Sequence, residues 1–509
     1  MRRHWNNKGK IIFRSGLFAL SSLLLALCLI LPDMAGSGPY LDSQHGDTTY
    51  GVTRSTIDTK YSTFSKGNCA HCHEQHASLD GAEPIPYTDT AEYGHAGPDL
   101  AELFSYEEGV CEMCHDGSPV PRDVKTQRLK TYHHPIAEYS GRHTMSRIEY
   151  GQSGAPFRGA NRHAECADCH EPHYIGDPGT TYHTYNATTP ANNNLVSNPI
   201  KGVWGVEPTT SPLWSPPTTY TELTTVAVGS SKEYQICYKC HSYYAFQDSD
   251  GITGITGPSG TLITDQAMEF SPGNKSAHPV QVTLSNQTGS PMPRALKTAQ
   301  MGSPWTNVGN QTMWCCDCHG NDATSPVGPH GSNKKFMLKN YAGTTTMHYW
   351  PASSTGKLFS LNDLSGSDSS GEGLNTTWRS ELFCLNCHPI GAETTGNIST
   401  WYNNAHKNHK GRDYQPNNVT KRNVYCIACH TVIPHGMKRS RLIVYDNRNT
   451  KYGTDVEPYR YVSGGVTYSA LSGFKKPTTS PSADNYNKDY CWSTVSGCTT
   501  HGDKTGYEN

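Results

Sequence analysis

The chain has 509 residues, of which 35% are hydrophobic and 17% charged, with a formal net charge of −2, 48 Gly, 32 Pro and 30 Tyr. So little apolar side-chain mass over such a length predicts a thin protein core that something other than side chains must fill. Low charge without a long like-charge block excludes a solvated disordered tail and a nucleic-acid-binding surface.

At the N-terminus, Arg2, Arg3, Lys8, Lys10 and Arg14 precede an apolar run from Leu17 to Leu31, and Ala35, Gly36 and Ser37 follow Pro32. This is the layout of a cleaved signal peptide over residues 1–35, because the run is short for a membrane span of about 20 residues. An uncleaved anchor is the competing reading. Cys28 follows Leu27, where a lipoprotein signal needs a small residue, so it leaves with the leader. Cleavage removes five cations and Asp33 and moves the charge from −2 to −6. The expected destination is the outer cell surface or the medium, otherwise the periplasm.

Seven copies of Cys-x-x-Cys-His follow in chain order. They are Cys69, Cys72 and His73; Cys111, Cys114 and His115; Cys166, Cys169 and His170; Cys237, Cys240 and His241; Cys315, Cys318 and His319; Cys384, Cys387 and His388; and Cys426, Cys429 and His430. Random placement of this composition gives about 0.03 copies, so the pattern is not chance. It is the attachment pattern of c-type haem: two thiols three positions apart on a helical turn add to the vinyl groups, and the adjacent His meets the iron. The expected cofactors are seven covalently bound haems, which also supply the missing apolar core. Structural zinc would use Cys-x-x-Cys in pairs and gives no reason for a His after every second cysteine. Redox disulfides of this spacing belong to a βαβ pattern that is absent from the sequence.

With seven histidines spent and His4 in the leader, seventeen remain for seven second axial positions, which favours bis-histidine iron. His45, His134, His278, His330 and His435 stand beside Gly or Pro in turn-like contexts and are the first candidates. His76 and His173 lie three residues beyond a motif His and point to a neighbouring haem. His406, or His409, is a candidate for a remaining site. His71, His95, His133, His143, His163, His183, His348 and His501 read as non-ligating.

Successive motif histidines are 42, 55, 71, 78, 69 and 42 residues apart, so no solenoid of equal repeats is expected. The intervening segments are rich in Thr, Ser, Asn, Gly and Pro, and helical periodicity is confined to short stretches such as Asp99 to Glu108. The predicted fold class is therefore a multihaem cytochrome c: mostly irregular coil with short helices and few strands, wrapped around a haem chain over 36–445. Tyr238, Tyr243, Tyr244, Trp314, Trp378, Phe383 and Tyr425 are expected ring-packing partners. Cys316 reads as a free buried thiol, and Cys491 with Cys498 as a small disulfide. The haem-free segment 446–509 follows, with LIVYD and GGVTYSAL reading as strands. The basic KRSRL run after His435 suits propionate neutralisation or a solvated patch.

The opening SGPYLDSQHG, together with GNCAHCHEQHAS, ECADCHEPH, GPHGSN and CIACHTVIPHGMKRSRL, resembles the large extracellular and outer-surface multihaem c-type cytochromes of metal-reducing bacteria, including filament-forming ones. The resemblance touches nearly the whole chain after the leader. It implies bis-histidine haems stacked in alternating parallel and T-shaped pairs, and His45 as a donor across a subunit interface. The expected function is an electron conduit, not an enzyme, with other c-type cytochromes or a porin–cytochrome complex, extracellular acceptors such as metal oxides, and a homopolymer as partners. The alternative is a multihaem oxyanion reductase with one open iron.

Overall fold

The elements are short: the longest helix among the described residues has six residues and the longest strands have four. In the computed structural model the described residues are 40–57, 59–73, 107–136, 163–176, 194–223, 232–246, 255–256, 262–263, 265–284, 296, 301–323, 326–339, 348–356, 359, 381–388, 426–428, 430–431, 433–443, 461–463, 466–468, 473–474 and 491–492. The chain divides into two compact units, Met1–His71 with Pro172–Asp177, and Cys72–Glu171 with Pro178–Asn509.

In the first unit, backbone turns are locked by side chains. Asp47 Oδ1 accepts the N–H groups of Thr49 and Tyr50, both at 2.6 Å. Gly67 takes φ 71°, and a side chain there would strike the carbonyl of Gly46. The Gln44 N–H donates to the Ile175 carbonyl at 2.6 Å, tying the two segments of the unit together. A 3-10 turn at Cys69–His71 opens the first motif.

In the second unit the helices are α1 (Glu107–Glu112), α2 (Val124–Arg128), α3 (Cys166–Cys169), α4 (Glu233–Cys237), α5 (Tyr243–Phe246) and α6 (Gln266–Glu269). The strands are β1 (Tyr132–His133), β2 (Gly205–Pro208), β3 (Tyr220–Leu223), β4 (Ile255–Thr256), β5 (Leu262–Ile263), β6 (Ser276–Ala277), β7 (Gly331–Ser332), β8 (Gly436–Met437), β9 (Tyr461–Ser463), β10 (Val466–Tyr468), β11 (Gly473–Phe474) and β12 (Cys491–Trp492). All strand pairs are two-stranded and antiparallel. The apolar core gathers Val206 of β2, Tyr234 of α4, Tyr238, Tyr244 and Trp305. The half-buried thiols Cys240, Cys315, Cys318 and Cys387 pack against it. Two core tyrosine hydroxyls donate to carboxylates, Tyr234 to Glu207 at 2.9 Å and Tyr244 to Glu222 at 2.8 Å. Of the aromatic residues beside the motifs, Tyr238, Tyr244 and Trp314 are buried and Tyr243 and Phe383 half-buried, while Trp378 and Tyr425 lie outside the described residues.

One arrangement occurs twice. α2 is capped by Asp123, whose Oδ1 accepts the Thr126 N–H at 2.8 Å, and leads into β1, which pairs with β7. α6 is capped by Asp265, whose Oδ1 accepts the Met268 N–H at 3.0 Å, and leads into β6, which pairs with β8. The irregular motif spacing thus conceals a structural repetition carried by short contacts instead of a sequence period.

Two sequence expectations change. LIVYD is not a strand where described: Leu442 closes a 3-10 turn, and Ile443 makes a single bridge to His430, because positive φ at Arg441 and Leu442 turns the backbone. Of the helix expected from Asp99 to Glu108, the described part begins at Glu107 and continues to Glu112. GGVTYSAL does contain β10. Cys316 is buried and unpaired, whereas Cys498, and with it the Cys491 disulfide, lies outside the described residues. No helix among the described residues is long and apolar enough to cross a membrane; the leader lies outside them.

Candidate haem-binding centre

Six of the seven motifs fold as the same single turn. The N–H of the motif His donates to the carbonyl of the first Cys: His115 to Cys111, His170 to Cys166, His241 to Cys237, His319 to Cys315, His388 to Cys384 and His430 to Cys426, at 2.9 to 3.0 Å. That i to i−4 bond is one helical turn, which places the second Cys and the His on the same side as the first Cys. The inner residues help: Asp168 and Asp317 reach back to accept the N–H groups of Glu165 and Trp314, each at 2.8 Å.

Histidines from distant parts of the second unit then meet in pairs, each pairing one motif ring with one ring from a turn. His134 lies 6.1 Å from His241, His330 6.0 Å from His170, His278 6.5 Å from His388, and His435 6.0 Å from His319, between ring centres. An imidazole nitrogen sits about 2 Å from a bound metal and about 1.1 Å from its own ring centre. Two rings on opposite sides of one metal therefore have centres about 6 Å apart. All four separations fit that span.

The second ring nitrogens support the same use. Nδ1 of His134 faces the Pro329 carbonyl at 2.8 Å, and Nδ1 of His278 the Pro434 carbonyl at 2.7 Å. Nδ1 of His170 faces the Pro199 carbonyl, of His319 the Phe336 carbonyl, and of His430 the Arg441 carbonyl, at 2.8, 2.7 and 3.0 Å. His435 Nδ1 meets Glu269 Oε2 at 2.6 Å. A carbonyl or carboxylate at Nδ1 fixes the proton there and leaves the Nε2 lone pair for a metal. His330 departs from this, since its Nδ1 lies 3.3 Å from the Asn321 amide nitrogen, a donor. Burial lowers the pKa values of His134, His170, His278 and His430, takes His319 down to about 4 and His330 down to about 3. These rings are neutral at pH 7, the form that binds metal.

The glycines beside the paired rings are forced by contact. A side chain on Gly331 would strike the Gln127 carbonyl, and one on Gly436 the Glu269 carbonyl, so α2 and α6 press on the residue that follows His330 and His435.

Motifs two to six also sit beside one another in chain order. Cys111 and Cys166 share a hydrogen bond, Cys169 is influenced by Cys237, Cys237 and Cys315 share a hydrogen bond, and Cys318 is influenced by Cys384. Burial pushes the thiols of Cys169, Cys318 and Cys384 up to about 12. Glu233, Cys237 and Cys315 bring three potential ligand atoms within 4.8 Å, but the two sulfurs come from different Cys-x-x-Cys pairs and a closed structural zinc site wants four ligands.

His45 and His173 belong to the first unit, where His45 Nδ1 lies 3.2 Å from the Pro172 carbonyl and the His173 ring meets Tyr40 edge-on. Cys429, His76, His406 and His409 lie outside the described residues. Among the histidines read as non-ligating, His71 has both nitrogens engaged, Nε2 with the Ser65 carbonyl and Nδ1 with the Arg54 N–H. His348 differs: it is buried with Nδ1 3.4 Å from the Leu382 carbonyl, the pattern of the paired rings. Its place just before Tyr-Trp-Pro was the sequence signal for a turn. No family, curated protein or solved structure matches the chain.

Proposed function

We propose that the chain is a heptahaem c-type cytochrome acting as an electron conduit, exported to the cell surface or beyond by its leader. The observation that carries this reading is the set of four histidine pairs, each spanning about one metal and each joining a motif ring to a turn ring. The donor set fits c-type haem: paired thiols, an adjacent imidazole and a second imidazole opposite. Haem bound there would supply one-electron redox couples. The protein's own residues do the rest. Nδ1 contacts orient the rings, burial keeps them neutral, the paired imidazoles would hold the iron and leave it closed to substrates, and the Tyr and Trp core excludes water. Motifs two to six neighbour one another in chain order, which suits passage of electrons from other cytochromes or a porin–cytochrome complex to acceptors such as metal oxides, in monomers or in a homopolymer.

Electron paramagnetic resonance of the oxidised protein, with carbon monoxide binding after reduction, tests this. The expected result is low-spin iron throughout and negligible binding. A high-spin signal with about one equivalent of carbon monoxide bound would replace the conduit by the oxyanion reductase.

A further inference from the structure

We infer that Lys239 is a potential-setting residue: its buried ammonium, carried by motif four and anchored on motif three, holds up the reduction potentials of the two haems those motifs would carry. This rests on the haem reading above and deepens it.

The inner positions of the motifs differ in charge. Motifs two, three and five hold an acid there, Glu112, Asp168 and Asp317, whereas Lys239 in CYKCH is the one lysine within a motif. A lysine ordinarily keeps its head in water even where its stem is buried. Lys239 does not. It is 1% exposed, its Nζ donates to the Asp168 carbonyl, and the same Nζ lies 4.4 Å from the centre of the Trp204 ring. A carbonyl and a ring face, not a carboxylate, therefore hold the charge. Asp168 gives Lys239 its carbonyl, while its carboxylate accepts the Glu165 N–H at 2.8 Å.

The charge reaches the attachment atoms of both motifs. Burial raises the Cys169 thiol to about 12 and the Cys240 thiol well above its ordinary range; Asp168 adds to the rise at both, and Lys239 opposes it at both. Those two sulfurs would be thioethers of adjacent haems. A nearby cation favours adding an electron to a haem and a nearby carboxylate disfavours it, and both effects grow in a buried, low-dielectric place. Lys239 thus offsets Asp168 where motifs three and four meet. An electron moving through motifs two to six crosses that contact, and the lysine keeps the two haems there from falling to potentials that would bar its passage.

The test is a spectroelectrochemical titration of the full haem-loaded protein, followed in the visible haem absorbance, with K239M, K239R and D168N made singly. K239M keeps the length and removes the charge. It is expected to move about two-sevenths of the absorbance change to lower potential, by about tenfold in the reduction equilibrium, or about 59 mV for one electron. K239R keeps the charge and is expected to follow the unmutated curve. D168N, which keeps an accepting oxygen for the Glu165 N–H, is expected to move the same fraction to higher potential, a reversal that lost packing would not give. Equal shifts in K239M and K239R, or no shift in K239M at seven haems per chain, would overturn the role of Lys239 and leave the conduit standing. Should K239M fail to take up seven haems, D168N decides, and no rise in that variant overturns the role. A haem count well below seven in the unmutated protein would instead overturn the conduit.

Discussion

Single atoms decide whether an axial ring is held. Gly436 is pressed by the Glu269 carbonyl, with no flexible side chain to give way, so Gly436→Ala forces backbone movement beside His435. Overpacking of this kind costs about 1–3 kcal/mol, and the displaced His435 is expected to open one iron, read as new carbon monoxide binding after reduction. Glu108 carries a second test. Burial, helped by Glu165 and Glu107, raises its pKa from 4.5 to about 8. A carboxyl with a raised folded-state pKa favours folding in its protonated form. That contribution is full below 4.5 and is lost as pH rises through about 8. Glu108→Gln should therefore match the unmutated protein near pH 4 and become more stable than it, by up to about 4 kcal/mol, toward pH 9. Denaturant midpoints across that range give the answer, and a constant difference between the two proteins would refute the shift. At this scale the sequence spoke clearly for motif Cys and His, because their spacing alone dictates the turn. It spoke for His278 and His435 through their Pro and Gly neighbours. His348, read as non-ligating, is buried beside the Leu382 backbone 34 residues away, a contact that no local pattern shows.

Among the elements, the capped helix leading into a two-stranded pair is the repeated part. Asp123 is the cap of α2, whose Gln127 carbonyl packs on Gly331 beside His330. Asp123→Ala should cost about 1 kcal/mol, whereas Asp123→Asn, which keeps the accepting oxygen, should cost little. Thermal midpoints of the two variants compare them directly, and equal losses would assign the effect to something other than capping. Short helices and irregular linkers could be foreseen from Gly, Pro and Asn content. The pairing of rings could not, since the partners lie 107 to 160 residues apart in the chain. Contacts that distant leave no local period: the turns around His330 and His435 share Pro-His-Gly in the sequence, but only the structure shows the Pro329 and Pro434 carbonyls meeting His134 and His278. Of LIVYD, Leu442 closes a 3-10 turn and Ile443 bridges to His430, while the rest of the segment lies outside the described residues.

For the whole molecule, a sequence poor in apolar side chains still builds a core because motif thiols and tyrosines converge in it, Cys240, Cys315, Cys318 and Cys387 packing against Tyr234, Tyr238 and Tyr244. If porphyrin rings complete that core, chain without haem should fail to fold cooperatively. Protein produced without the haem-attachment machinery is expected to lack a sharp thermal transition and to be cleaved rapidly by proteases, and a sharp transition without haem would contradict this. The most direct measurement is the number of covalent haems per chain, by pyridine haemochrome absorbance against protein mass and by the intact mass of the exported polypeptide. Seven is the predicted count; a count far below seven, or a mass matching bare polypeptide with disulfides or zinc, would contradict the conduit.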